Sequence, residues 1–176
     1  MSGQLRDSLI IRNLEDLRYS VEYWDYFECN ADSLLNICFD PNHLRGYLNK
    51  NLIMEIISDH DSTNTLSYVY NNQYYVNVSV YSRYIFPEHD SIWFTLEEFY
   101  QNIPLLADIK NMYGYYKISD HDTYSLLHYC QVIDIENESY ANRNGIGYLI
   151  EGYYLKLYMK KFIRNLKKYI ARNSEK

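Results

Sequence analysis

The chain has 176 residues, 47% hydrophobic and 23% charged, a composition that describes one globular domain and excludes a disordered or collagen-like polypeptide. Its net charge of −6 is unevenly divided: residues 155–176 carry eight Lys or Arg against one Glu, a local +7, and residues 1–154 carry nine against 22 acidic residues, a local −13. A body this acidic repels phosphate, so nucleic acid can meet it only at the basic end.

Asn13 is placed to cap a helix over 14–28, where Leu14, Leu17, Val21 and Trp24 recur at helical spacing, and a shorter helix follows near 32–38. Pro41 interrupts the chain. Leu44, Leu48, Leu52 and Ile56 then favour a helix over 43–57, with a buried strand over Leu52–Ile57 as the competing reading. Leu66, Tyr68 and Tyr70 alternate with smaller residues, Asn71-Asn72 turns the chain, and 74–86 continues the period of two. This predicts a hairpin over 65–86 with one buried face. Thr95, followed by Glu97 and Glu98, starts a helix near 96–102. Pro104 opens another, which Gly114 stops. A helix over 121–130, a short strand over 132–135 and a polar loop over 136–144 come next, and 147–172 reads as one long terminal helix.

These elements predict an α+β fold in one domain over 1–176: a small antiparallel sheet built on the 65–86 hairpin, packed by N-terminal helices and by the long amphipathic C-terminal helix. No run approaches the ~20 apolar residues of a membrane span. The opening Met-Ser-Gly-Gln-Leu-Arg-Asp lacks a secretory signal's layout, and Cys29, Cys38 and Cys130 form no CxxC. Reduced thiols in a cytoplasmic protein are the expectation. Twenty-two tyrosines stand against six glycines and three prolines. Tyrosine joins an aromatic body to a hydroxyl, which suits half-buried sheet faces and interfaces, although a biased genome also supplies it.

Ile-Ser-Asp-His-Asp occurs at 57–61 and again at 118–122, and His-Asp recurs at His89-Asp90. Imidazole and carboxylate together suit a divalent metal or general acid–base work. Three consecutive residues of an extended chain do not converge on one ion, however, and Ser and Asp are turn and cap residues first. No nucleophile elbow, phosphate loop, zinc-protease or dinucleotide motif is present. No catalytic residue, metal or cofactor is assigned.

The terminal helix has an apolar stripe of Leu155, Met159, Phe162, Leu166, Tyr169 and Ile170, with Lys156, Lys160, Arg164, Lys167, Lys168 and Arg172 around it. It can contact a nucleic-acid backbone, lie on a membrane surface or enter an acidic groove; it can equally dock on the protein's own core. Asp59, Asp61, Glu88, Asp90, Glu97 and Glu98 flank the hairpin, with Tyr75 and Tyr81 between them as contact residues. Carboxylates that steer and tyrosines that anchor lead to a small acidic module docking on a basic protein, of immunity-protein or viral-inhibitor type. A viral or phage subunit assembling through its C-terminal helix is the alternative, and a metal enzyme using the His-Asp clusters a third. Oligomeric state is not fixed by these residues.

Overall fold

After Asn13 the chain follows a period of two, not the helical repeat. Tyr19, Val21, Tyr23, Asp25 and Phe27 are buried, and the residues between Val21 and Phe27 are only partly so. That alternation is a strand's. The computed structural model describes residues 8–14, 17–71, 75–86, 90–102, 108–121, 124–136 and 147–173, with main chain alone at 8 and over 147–155. Within these, β1 (Ser8–Asn13) and β2 (Arg18–Phe27) form a hairpin, followed by α1 (Ala31–Phe39) and α2 (Pro41–Tyr47). Then come β3 (Leu52–His60), β4 (Thr63–Asn71), β5 (Val76–Ile85), β6 (Ser91–Gln101), β7 (Ile109–His121), β8 (Tyr124–Ile135) and a long helix, α3 (Gly147–Asn173).

The strands make one antiparallel sheet of eight, in the order β1-β2-β8-β7-β6-β5-β4-β3. The expected small sheet is therefore corrected to a large one, in which the 65–86 hairpin supplies β4 and β5. The helix expected over 14–28 is β2, that over 96–102 lies in β6, and that over 121–130 lies in β8. The helix opened by Pro104 is replaced from Ile109 by β7, and residues 103–107 are outside the described set. Over 43–57 the competing reading prevails: α2 ends at Tyr47 and Leu52 begins β3.

Aromatic residues on both faces of the sheet account for the misreadings. On the outer face Trp24 stacks on His128 with centroids 4.7 Å apart, His128 meets Tyr115 at 5.4 Å, Tyr115 meets Trp93 at 5.4 Å, and Trp93 meets Phe86 at 5.9 Å. Apolar residues on the solvent side erase the polar half of the pattern. Thr95, Glu97 and Glu98 sit beside a register shift at Val80/Tyr81, where an extra residue bends the sheet. Gly114 stops no helix. Paired with Phe94 in mid-sheet, it lets that ring lie against the strand, since a Cβ there would come within 2.7 Å of Phe94 Cζ and 2.2 Å of the Cys130 carbonyl oxygen.

The helices close the inner face. Asn30 caps α1 by accepting from Ser33 N at 2.8 Å, and Asp40 caps α2 by accepting from Asn42 N at 2.8 Å, with Pro41 in the first helical turn. Met159, Ile163, Leu166 and Ile170 of α3 are buried in the core with Leu34, Leu66, Ile92, Leu127 and Ile133. Each such side chain contributes roughly 1.5–3 kcal/mol. α2 and α3 meet where Gly46 lies under the Tyr169 ring; the Tyr169 hydroxyl and His43 Nδ1 hydrogen-bond at 2.7 Å. Farther along, Lys167 pairs with buried Asp25 of β2, which also accepts from the Tyr23 hydroxyl and the Tyr26 amide.

Candidate ligand-binding site

Alternation places a second aromatic row on the inner face, one residue along from the outer row. Tyr68 of β4 meets Tyr81 of β5 at 5.7 Å, and Tyr81 meets Phe94 of β6 at 6.3 Å. Phe94 meets Tyr116 of β7 at 5.6 Å and stacks on Tyr129 of β8 at 5.9 Å, and Tyr116 meets Tyr129 at 4.9 Å. Five strands thus share one edge-to-face and stacked series, the geometry aromatic quadrupoles favour.

Tyr158 of α3 stands over this row. It keeps 53% of its accessible surface, yet burial, with Tyr68 adding to it, pushes its hydroxyl up to about 12. The Tyr158 hydroxyl therefore lies near the tyrosines of the inner row, on the side of the sheet that α3 covers, with about half of its surface still accessible. Burial also raises the hydroxyls of Tyr68, Tyr81, Tyr116 and Tyr129; Tyr158 adds to the last three, and Arg83 opposes the rise at Tyr68 and Tyr116. All stay neutral donors over the physiological range.

Two hydroxyls are used within the protein: Tyr81 donates to Met112 Sδ at 3.1 Å and Tyr129 to Gln131 Oε1 at 2.5 Å. Those of Tyr68, Tyr116 and Tyr158 have no hydrogen-bond partner among the described residues and are not fully buried.

The cation that acts on Tyr68 and Tyr116 is committed to the main chain. Arg83 is buried at the C-terminal end of α1, where Nη1 donates to the Phe39 carbonyl at 3.1 Å and Nη2 to that of Cys38, with the guanidinium 5.4 Å from the Phe39 ring centre. Asn64 Nδ2 adds a bond to the Phe39 carbonyl at 3.3 Å. A cation here offsets the negative end of the helix. Cys38 beside it is inert as a nucleophile, because burial pushes its thiol up to about 12 even with Arg83 opposing.

The residues singled out from sequence do not converge. Asp59 and Asp61 are exposed at the β3–β4 turn, Glu97 and Glu98 are exposed on β6, and Tyr75 is 41% exposed before β5. Asp90 pairs with Lys117 at 3.4 Å, Tyr81 belongs to the inner row, and Glu88 lies outside the described residues. The first Ile-Ser-Asp-His-Asp copy closes β3 and enters the turn after it; the second closes β7 at His121, and its Asp122 lies outside the described residues. Among the described residues no three His, Cys, Asp or Glu side chains come together as a metal site would need. Lys156, Lys160, Arg164, Lys167 and Lys168 line a groove beside β1, and Arg172 is exposed farther along α3. A second depression, of about 1030 Å³ at the β1–β2 turn, is flanked by Arg18 and Asp134, which satisfy each other at 2.5 Å. The inner tyrosine row was missed from sequence; its signal is the doublets Trp93-Phe94, Tyr115-Tyr116 and His128-Tyr129, which give each face one ring.

No family model and no curated protein sequence matches the chain. Solved structures do. TTHA0849 from Thermus thermophilus is similar at TM-score 0.71 and 11% identity, over 88% of this chain and 99% of that one. The Zhui aromatase/cyclase from Streptomyces sp. R1128 is similar at 0.64 and 11%, over 90% and 94%. A START superfamily protein from Mycobacterium smegmatis gives 0.64 and 12%, over 87% and 97%. The architecture is the helix-grip fold, a large antiparallel sheet closed by a long C-terminal helix. This overturns the reading of the chain as an immunity-protein or viral-inhibitor module. Of the contact residues expected for such a module, Tyr81 is turned to the inner row instead, and the structural neighbours are aromatase/cyclases and a START protein. No helix among the described residues is long and apolar enough to cross a membrane.

Proposed function

We propose that the protein binds a small, uncharged, ring-bearing molecule with carbonyl or ether oxygens in the hollow between α3 and the inner face of the sheet. One observation carries the reading: Tyr158, half accessible, stands beside Tyr68 and Tyr116 of the inner row, and the hydroxyls of all three are left unused by the described residues. Aromatic walls supply area and the hydroxyls fix orientation, the usual division of labour in a ligand pocket. The described side chains there are neutral and disfavour an ionic ligand, which would be desolvated without a counter-charge.

Titration with a neutral flavone, followed by tyrosine and tryptophan fluorescence, tests this. Tyr158→Phe and Tyr116→Phe each weaken binding by about five- to tenfold, the worth of one hydrogen bond. Binding of a fused-ring hydrocarbon of the same size stays unchanged, and Tyr158→Trp weakens both. If the flavone does not bind, or binds equally well to Tyr158→Trp, the reading fails. Turnover is a second reading: the same donors can polarise a carbonyl, and aromatase/cyclases share the fold. Recovery of the bound molecule chemically altered would favour it.

A further inference from the structure

We propose that the groove between α3 and the edge strand β1 takes an acidic peptide in extended conformation, which adds to the sheet as a ninth strand. This site is separate from the hollow and does not rest on its ligand. The groove, of about 480 Å³, has a floor of Leu9, Tyr23 and Ile163 and walls that include Lys156, Lys160, Arg164 and Lys168. None of these four cations has an ion pair among the described residues, although the rest of the chain carries a net −13. Lys167 alone of the group is neutralised, by Asp25. Four unpaired cations over an apolar floor attract carboxylates that come with apolar neighbours.

The sheet edge supplies the second half of the site. β1 pairs only with β2, and no residue from Leu9 to Asn13 makes an unassigned hydrogen bond, so its outer edge offers free main-chain donors and acceptors among the described residues. Open edges are normally blunted by bulges or charged side chains. The opposite edge, β3, is interrupted by a register shift at Ile56/Ser58 and carries Glu55 and Asp59, exposed and unpaired among the described residues, on either side of it. β1 has neither. Its Ser-Leu-Ile-Ile-Arg-Asn carries one charge, Arg12, already paired with Glu22 at 2.7 Å. An edge left this plain beside a basic wall selects an acidic strand: main-chain bonds give affinity, and alternate side chains reach the cations or the floor. A flat anionic bilayer would meet the acidic body around this narrow groove and be repelled.

Fluorescence anisotropy on the full chain tests it with a labelled peptide of alternating Glu and Val. Expected are saturable binding that weakens with added salt, at least tenfold weaker binding of a Lys/Val peptide, and a similar loss in Lys160→Glu/Arg164→Glu. The same Glu/Val sequence N-methylated at alternate residues keeps its charge and loses its donors; it must also bind at least tenfold more weakly. Equal binding of the methylated peptide would reduce the site to a patch of charge and overturn the proposal. So would co-sedimentation with phosphatidylserine vesicles without peptide binding. Self-association of the protein that blocks the peptide would assign the groove to a second copy, and that too defeats it.

Discussion

Replacing Arg83 tests how the sheet holds the helical layer that roofs its inner face. Arg83→Met keeps most of the side chain's volume and removes the guanidinium. The Phe39 carbonyl retains Asn64 Nδ2 at 3.3 Å, so the acceptors stranded inside the protein are the Cys38 carbonyl and the buried Asn64 Oδ1, which accepts from Nη1 at 3.5 Å. Losing the two charge-assisted bonds to main-chain carbonyls is worth about 3–6 kcal/mol gross at 1.5–3 each, and the guanidinium's own desolvation cost offsets part of this. We expect a net loss of about 2–4 kcal/mol. Arg83→Lys, a point charge without the fork, reaches one carbonyl and loses about half as much. With a urea dependence of roughly 2 kcal/mol per M, the Met variant's midpoint falls by about 1–2 M with unchanged slope. Hydrogen exchange should rise first in α1, whose last turn loses its cap. A Met variant within about 0.5 kcal/mol of the parent, or a Lys variant as weak as Met, would refute this account of a cation bound for its fit to two carbonyls.

Three further outcomes follow from geometry already described. Gly46→Ala should destabilise by about 1–3 kcal/mol despite alanine's preference for helix, because its Cβ would lie 2.2 Å from the Tyr169 ring, which His43 and Tyr47 hold in place; urea unfolding of Gly46→Ala in a Tyr169→Ala background should show the cost removed. In thiol titration of the folded protein, half-buried Cys29 and Cys130 should react, and Cys38, buried and held up to about 12, only after unfolding; one common rate for all three would contradict this. Stability should also fall in alkali. The folded values of Cys38 and Tyr158, about 12, exceed their ordinary 9.0 and 10.0, so the stabilisation is complete below the unfolded values and is lost as pH rises toward the folded ones. Urea midpoints measured from roughly pH 8 to 12 should decline from about pH 9 upward; a flat profile would contradict the burial of these groups.

The strands of the 65–86 hairpin were legible because Leu66, Tyr68 and Tyr70 alternate between turn residues. α1 was legible for the opposite reason: Leu34, Leu35, Cys38 and Phe39 are buried at helical spacing after a capping Asn30. The rest of the sheet was hidden. In β8, Leu127, Tyr129 and Ile133 point inward while Leu126, His128 and Val132 point outward, and such a run reads as helix as readily as strand. The inner site was hidden with it. Tyr116 and Tyr129 become neighbours only through pairing between β7 and β8, and Tyr158 reaches them from a helix far along the chain. Charge, the clearest signal in the composition, marked the groove at β1 but not the inner tyrosine row, whose described side chains are neutral.

The two aromatic rows have a consequence for how the chain finds its alignment. Most sheets police strand sliding by hydrophobicity, because a shift of one residue turns apolar side chains to water. Here a slip at Trp93-Phe94, Tyr115-Tyr116 or His128-Tyr129 exchanges one ring for another and forfeits little greasy contact. Discrimination must come from residues with no substitute one place away: Arg83, whose fork finds its carbonyls in one alignment, and Gly114, whose missing side chain makes room for a ring. Those two positions act as the sheet's index marks.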